Sequence, residues 1–509
     1  MVSPASPAVP PPPPPFDPLE RALRRLTGRE AVYRAEEMKG GASTRRFFRV
    51  HLEDGSTLVA MFVPGKSQEI AKTSEEGRRW PFLEVRDLLA ERGVLLSIAP
   101  HAVRPMQFDV PILRGQRRGP LAMRVGLAIY DILAGRHRIG RRALLSADEL
   151  LEHYGDLHRE RLRCGVSYWD AWMDDARLCL LNVIDAAAKG AAVCNYARVS
   201  RIVKEGNGRF AVDVEDVPTG RSARCFARSV LNTTGPWSDR FLGGAVGKDV
   251  RRLALSKGVH LVFSRPAAAR AALMLAGDGR VFFMIPWYGY TMVGTTDTPF
   301  DGDPDQVQPT EQDVDYLLDS ISGYFGRRSD WETQLVASFA GLRPLLAGTA
   351  GSTYRASREH LLAEDAPGLF SLVGGKYTTY RRMAAQAVDA VGRFLDHRAP
   401  CRTAELPLPG GHIEDFESWS KATDAALAAN VGDAAMREYL MRTLGSEAIG
   451  WVERYRDRPD MLERIDPRHP VPRAMIDHAR RCEMAVTDED ILRRRTPLEL
   501  LGYRGPLPA

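Results

Sequence analysis

Three basic side chains stand in segments able to do chemistry. Arg343 lies in Ala340-Gly341-Leu342-Arg343-Pro344-Leu345, and Arg358 in Ser357-Arg358-Glu359-His360. Lys376 follows an apolar run, Leu369 to Val373, that breaks at Gly374-Gly375 into a helical pattern reaching about Leu395. A strand, a glycine pair and a helix start aim backbone N–H groups and the positive helix end at one point, which favours an anion. A guanidinium nearby can grip an oxyanion with two parallel hydrogen bonds. His260, at the end of Lys257-Gly258-Val259-His260, adds a group that takes a proton near neutral pH.

The flanking patterns say what must position these groups. Lys257-Gly258-Val259-His260 opens a strand that runs to Phe263, and Val281–Pro286 with Thr291–Gly294 reads as a hairpin. Gly294-Thr295-Thr296-Asp297-Thr298 follows as a Thr/Asp-capped turn. Upstream, Gly126–Leu133 reads as helical. Asp174 and Asp175 mark the start of a helix that ends at Lys189-Gly190. Ala192-Val193-Cys194 is expected as a short buried strand. Ala197–Val203, Phe210–Val214 and Ala223–Ala227 form an antiparallel meander with turns at Gly206-Asn207-Gly208 and Pro218-Thr219-Gly220. Arg228 to Ser238 then reads as a buried strand running into a tight turn at Gly235. After about residue 400 the pattern is one of amphipathic helices.

Bulk properties narrow the function classes. The 509 residues suffice for two or three domains. Seventy basic and 65 acidic residues leave a net charge of +5, too small and scattered for nucleic-acid binding but compatible with an anionic substrate or an anionic membrane surface. The six cysteines form no Cys-x-x-Cys pair and no zinc spacing, so they are expected as reduced, mostly structural thiols of a cytosolic protein, and no metal is expected. No apolar run is long enough to span a bilayer, so membrane contact would be peripheral. No signal peptide is expected, and the proline-rich residues 1–16 are expected as a disordered tail.

From about Val85 onward these motifs, in this order, resemble the FAD-dependent, membrane-associated, quinone-reducing glycerol-3-phosphate dehydrogenases. The carriers are Ile98-Ala99-Pro100-His101, Tyr168 to Arg177, Gly294 to Thr298, Ala340 to Leu345, Leu369 to Arg381, and the final stretch Met475 to Thr496. The resemblance implies an α/β (α+β) fold: a two-domain FAD-dependent oxidoreductase-like body, incomplete at its N-terminus, with an all-helical C-terminal domain. It implies oxidation of sn-glycerol 3-phosphate to dihydroxyacetone phosphate with electrons passed to a quinone. His260, Arg343 and Lys376 take the catalytic positions. Arg343, Arg358, Lys257 and Thr296 take the substrate positions. Val199, Thr234, Gly235, Trp237, Gly374, Gly375, Lys376, Thr378 and Thr379 take the FAD positions. The reduced flavin is anionic and favours a cation or helix dipole beside it, and the substrate phosphate favours arginine. The resemblance also implies a cytoplasmic location with peripheral contact on the cytoplasmic membrane, and a homo-oligomer is compatible with it.

The departures lie in the first hundred residues. No strand followed by Gly-x-Gly-x-x-Gly occurs, nor an acidic residue about twenty positions beyond one. Instead Lys39-Gly40-Gly41-Ala42-Ser43-Thr44, a strand, an Asp54-Gly55 turn and a strand from Thr57 to Val63 are similar to the opening lobe of aminoglycoside-phosphotransferase-like kinases, although the second strand carries no lysine. Tyr154-Gly155-Asp156 echoes the catalytic loop of those kinases, and Asp156 is expected as a helix-end residue instead. The organisation expected is a kinase-lobe-like segment over 17–95, a flavoprotein body over 96–400 and the helical domain over 401–509. Within the body, a nucleotide part spans about 165–240 and 345–400, and a substrate part about 96–164 and 241–344. The seam at Leu88–Leu96 fits either side and points to a gene fusion. An inactive homologue without FAD, or a small-molecule phosphotransferase, are the other readings this arrangement leaves open.

Overall fold

The computed structural model describes residues 33–38, 46–52, 57–62, 81–116, 120–265, 270–347 and 360–508. The proline-rich tail, the Gly40-Gly41 and Asp54-Gly55 turns, and Arg358 lie outside them. The chain divides into two compact units, 1–84 and 85–509.

In the first unit Tyr33–Met38, Arg46–Leu52 and Thr57–Phe62 form an antiparallel meander, with Tyr33 opposite Leu52 and Arg46 opposite Phe62. The second unit is built on a nine-stranded sheet. Its long members are Val103–Leu113, Leu162–Met173, Leu253–Phe263 and Leu335–Leu346. Val103–Leu113 pairs with Leu162–Met173 as far as Met173, so the expected division at about 165 falls inside a strand. The chain leaves the sheet only at Asp174. There its carboxylate caps the helix Asp175–Ala188 by accepting the Arg177 N–H. One sheet face packs Val259, Leu261 and Phe263 against Leu317, Ile321 and Trp331 of the helices Glu311–Ser322 and Arg328–Glu332. Side chains alternate along a strand, so Ser256, Gly258 and His260 face the other way.

A second, three-stranded sheet has Val230–Asn232 parallel to Leu369–Gly374, with His360–Ala366 antiparallel on the far side. The meander Ala197–Lys204, Phe210–Asp216, Arg221–Ala227 packs on it through Ile202, Phe210 and Leu369. Ala192–Cys194, expected as a buried strand, is extended coil, with Ala192 and Cys194 exposed. Among the described residues no strand lies beside it, and a single parallel-type strand cannot satisfy its own backbone. Apart from the half-buried Cys164, the cysteines are exposed rather than structural.

The C-terminal domain contains the helices Phe416–Leu427, Ala434–Leu444, Ala448–Glu453 and Ala474–Cys482 around Tyr439, Leu440, Trp451 and Met475. It is not all-helical: Arg464–Asp466 pairs with His469–Pro472. Pro467 and Pro472 cannot sit inside a helix, and the Asp466 carboxylate accepts the Arg468 N–H across the turn.

Candidate active site

The strand Leu335–Leu346 lies beside Leu253–Phe263 with Arg343 opposite Ser256 and Phe339 opposite His260. Arg343 therefore shares a sheet face with Ser256, Gly258 and His260. Its guanidinium crosses Gly258, where an added Cβ would come within 2.6 Å of Nη2. Nη2 donates to Thr295 Oγ1 at 3.0 Å and Nη1 to the Thr296 carbonyl at 3.2 Å. Asp297, 4.0 Å away, is itself held by the Ser256 hydroxyl. The Thr-Thr-Asp turn thus aims the arginine.

His260 stacks on Phe339 with ring centroids 5.2 Å apart. Burial, then the positive charge of Arg343, lowers its pKa from 6.5 to about 4. The imidazole is neutral at physiological pH and free to act as a proton acceptor. Gly294, directly opposite on the neighbouring strand, makes room for the ring: a Cβ there would lie 2.2 Å from His260 Cδ2. Gly294→Ala is expected to cost about 1–3 kcal/mol of stability by overpacking. It also turns the imidazole away. A denaturation curve and the turnover of the variant check both.

Two expected site residues point elsewhere. Lys257 is one position off the His260 face and buried, with its Nζ 2.5 Å from Asp313 Oδ2 at the start of the helix Glu311–Ser322. Its ammonium is held in this buried ion pair. The Thr296 hydroxyl accepts the Val259 N–H at 3.0 Å and is buried, so only its carbonyl serves the site, through Arg343.

The parallel strands Val230–Asn232 and Leu369–Gly374 lead into the turns at Gly235–Trp237 and Gly374–Gly375. The strand of Arg343 packs against both Leu369–Gly374 and the turn Gly235–Trp237. Gly374 and Gly375 have φ of 77° and 91°, a left-handed turn that glycine makes without strain. The turn Tyr377–Thr379 leads into the helix Tyr380–Phe394, and the Thr379 N–H and hydroxyl both bond the Lys376 carbonyl. Asn232 accepts the Thr234 N–H and hydroxyl and donates to Ser238 and Ser371, which locks the two strand ends together. Trp237 bonds Asp305 through its indole N–H. Val199 packs against the cluster of Ile202, Phe210 and Leu369.

A cavity of about 570 Å³ opens beside His260. Phe339, Trp172, Phe283, Trp287 and Met292 form its apolar wall, and Arg493, Arg494 and Arg495 of the C-terminal domain reach its rim. Arg493 and Arg494 are paired with Glu489, and Arg494 also with Asp490. Tyr377 also lines it, with its hydroxyl on the Asp175 carbonyl at 2.8 Å. Apart from Trp172, which lies in the Tyr168 to Arg177 run, the residues of this wall belong to none of the quoted motifs. Each member alternates with core residues on its strand, and strand alternation is the signal that would have found them. Asp156 follows the helix Ala147–Tyr154, as expected of a helix-end residue, and pairs with Arg265 at 2.6 Å.

A mixed, largely antiparallel sheet packed against a second sheet that holds a parallel strand pair, with a histidine and an arginine on one face of the first, is the architecture of a two-domain flavoprotein oxidoreductase. The chain belongs to the FAD-dependent oxidoreductase family, whose model matches residues 53–381, and residues 401–505 match the C-terminal domain of alpha-glycerophosphate oxidase. It is 30% identical over 453 residues to the aerobic glycerol-3-phosphate dehydrogenase of Bacillus subtilis (strain 168), covering 86% of this chain and 81% of that protein. Over 343 residues it is 34% identical to the aerobic glycerol-3-phosphate dehydrogenase of Escherichia coli (strain K12), covering 66% and 67%. The crystal structure of glycerol-3-phosphate dehydrogenase from Bacillus halodurans complexed with FAD superposes with a TM-score of 0.65 at 29% identity, covering 82% of this chain and 77% of that one.

FAD is the cofactor of this family, and the residues of the chain fit one end of it. At the strand ends Gly235 has open space where a Cβ would stand, while Gly375 packs against Met383 and His360. For the pyrophosphate the 509 residues contain no glycine fingerprint after a strand, and the first described strands form an antiparallel meander. Among the described residues, Val230–Asn232 is paired on one edge only.

Proposed function

We propose that this chain oxidises sn-glycerol 3-phosphate to dihydroxyacetone phosphate at the cavity beside His260. The observation that carries this is the placement of His260 and Arg343 on one sheet face, with the strand of Arg343 packed against Leu369–Gly374. Arg343, aimed by Thr295 and Thr296, binds the substrate phosphate. Neutral His260 takes the hydroxyl proton at its imidazole as the carbon–oxygen bond becomes a carbonyl. Lys376 and the backbone at Gly374–Gly375 hold negative charge on the cofactor side, with Thr378 and Thr379 at the same turn. Arg358 belongs to the phosphate contacts in this reading. Bound FAD supplies the hydride acceptor. The aromatic wall suits an apolar electron acceptor such as a quinone. Among the described residues no helix is long and apolar enough to cross a membrane, so a membrane-held acceptor would be met peripherally, from the cytoplasmic side. A homo-oligomer is compatible with this reading.

The test is the visible spectrum of the purified chain without oxygen, before and after glycerol 3-phosphate. The expected result is a flavin spectrum that bleaches on addition. A folded protein that neither carries nor takes up FAD would overturn the oxidative reading, and retained glycerol 3-phosphate binding would then mark an inactive homologue.

The lowered His260 pKa fixes the pH response. A histidine whose folded pKa lies below its unfolded value contributes stability above pH 6.5 that is lost as pH falls towards about 4. Turnover is expected to fall over the acid limb near pH 4 and to be level around neutrality. His260→Gln is expected to lower kcat on the order of 10²-fold with KM little changed, and to abolish that acid limb.

A further inference from the structure

A second cationic site lies where the C-terminal domain meets the large sheet. Arg104 comes from the strand Val103–Leu113, and Arg442 from the helix Ala434–Leu444. Each guanidinium lies over an aromatic ring, Arg104 over Trp172 at 4.7 Å and Arg442 over Phe416 at 4.5 Å. Stacking occupies the flat faces and leaves the N–H edges for an acceptor. Both arginines reach the same atom, Glu438 Oε1, and both only at 3.9 Å, too long for a hydrogen bond. Arg104 Nε and Arg442 Nε and Nη1 are buried without a hydrogen-bond partner. Buried donors of this kind are normally satisfied. Burial, then repulsion from Arg104, brings the Arg442 pKa down to about 10. Glu438, whose side chain is 63% exposed, is a loose counter-ion that can swing into solvent.

We propose that Arg104 and Arg442 form a binding site for a phosphate-type oxyanion, separate from the Arg343 site, that clasps the C-terminal domain to the body. Two guanidinia with free edges match a dianion, and the oxygens of a phosphate can reach both. Trp172, the floor under Arg104, is also part of the active-site cavity wall, so occupancy stiffens that wall. The group could come from a dissolved phosphate or phosphate ester, or from a lipid headgroup.

The experiment uses the full chain in an Arg343→Gln background, which removes the other anion site. Inorganic phosphate is titrated calorimetrically, and phosphatidylglycerol vesicles are tested by flotation. One phosphate-binding event is expected to remain, and to weaken about tenfold or more in Arg104→Gln and in Arg442→Gln. Phosphate binding lost in both variants supports a dissolved ligand. Vesicle binding lost in both, without phosphate binding, supports a headgroup. Equal phosphate and vesicle binding in all forms, or none in any, overturns the proposal. Glu438→Gln guards against variants that merely misfold: removing the competing carboxylate is expected to tighten binding several-fold, which no folding defect mimics. Unchanged or weaker binding in Glu438→Gln counts against the site.

Discussion

Arg343→Gln is expected to lower kcat/KM for glycerol 3-phosphate by roughly 10³-fold, equivalent to about 4 kcal/mol of lost transition-state stabilisation. Arg343 lies on the His260 face of the large sheet, and two neighbouring groups hold it in place. Its Nη2 is fixed by Thr295 Oγ1 and its Nη1 by the Thr296 carbonyl. Glutamine keeps polarity but removes the charge and the planar fork, so a phosphate dianion would lose both Coulomb attraction and paired hydrogen bonds. Phosphate binding remote from the reacting carbon also positions that carbon, so kcat should fall as well as KM rise. Arg343→Lys restores charge without the fork and is expected to recover only about tenfold of the loss. Steady-state dye reduction by the wild type and both variants measures this. A kcat/KM for Arg343→Gln within a few-fold of wild type would show that the phosphate is held elsewhere.

Glu483→Gln should be the most damaging single change to stability, costing about 3–5 kcal/mol. Arg177 of the body helix and Glu483 of the C-terminal domain form an ion pair that is almost wholly buried, at 7% and 1% side-chain exposure. Arg177 Nη1 donates to Glu483 Oε1, and Nη2 donates to the Arg495 carbonyl at 2.9 Å. His478 lies 3.2 Å from the same carboxylate. Glutamine leaves the guanidinium buried without a counter-charge. Burial by itself would raise the Glu483 carboxyl, but Arg177 and His478 outweigh it and hold the pKa at about 2 against an ordinary 4.5. The folded-state value is depressed, so the pair stabilises the protein above pH 4.5, and that contribution is lost as pH falls towards about 2. Chemical denaturation at pH 7 should show a lower midpoint for the variant, and the gap from wild type should narrow in acid. Replacing both partners, as Arg177→Met with Glu483→Leu, should recover most of the loss because no charge is stranded. An unchanged midpoint for Glu483→Gln would mean the two domains do not depend on this pair.

Local patterns sufficed wherever the cause was local. Asp174 is readable as a helix cap because its carboxylate serves an N–H three residues away. The glycine pair at 374–375 is readable because a left-handed turn admits few other residues. The meander, the hairpin and the C-terminal helices follow from period and turn residues. Face assignment was also within reach: a period of two puts Lys257 opposite to His260, and the motif obscured it. Other features needed the tertiary structure. Ala192–Cys194 has the composition of a strand, but a strand exists only beside a partner. The Thr296 hydroxyl turns inward because the Val259 N–H needs an acceptor.

The sequence by itself determined the order of elements, the family of flavoproteins the chain joins, and the residue types at the crevice, since each depends on spacing along the chain. Only the tertiary structure decided the aromatic cavity wall, the Arg104–Arg442 pair and the Arg177–Glu483 clasp. Arg177 and Glu483 are 306 residues apart, and burial and charge pairing act on distance through space, which one-dimensional spacing does not carry.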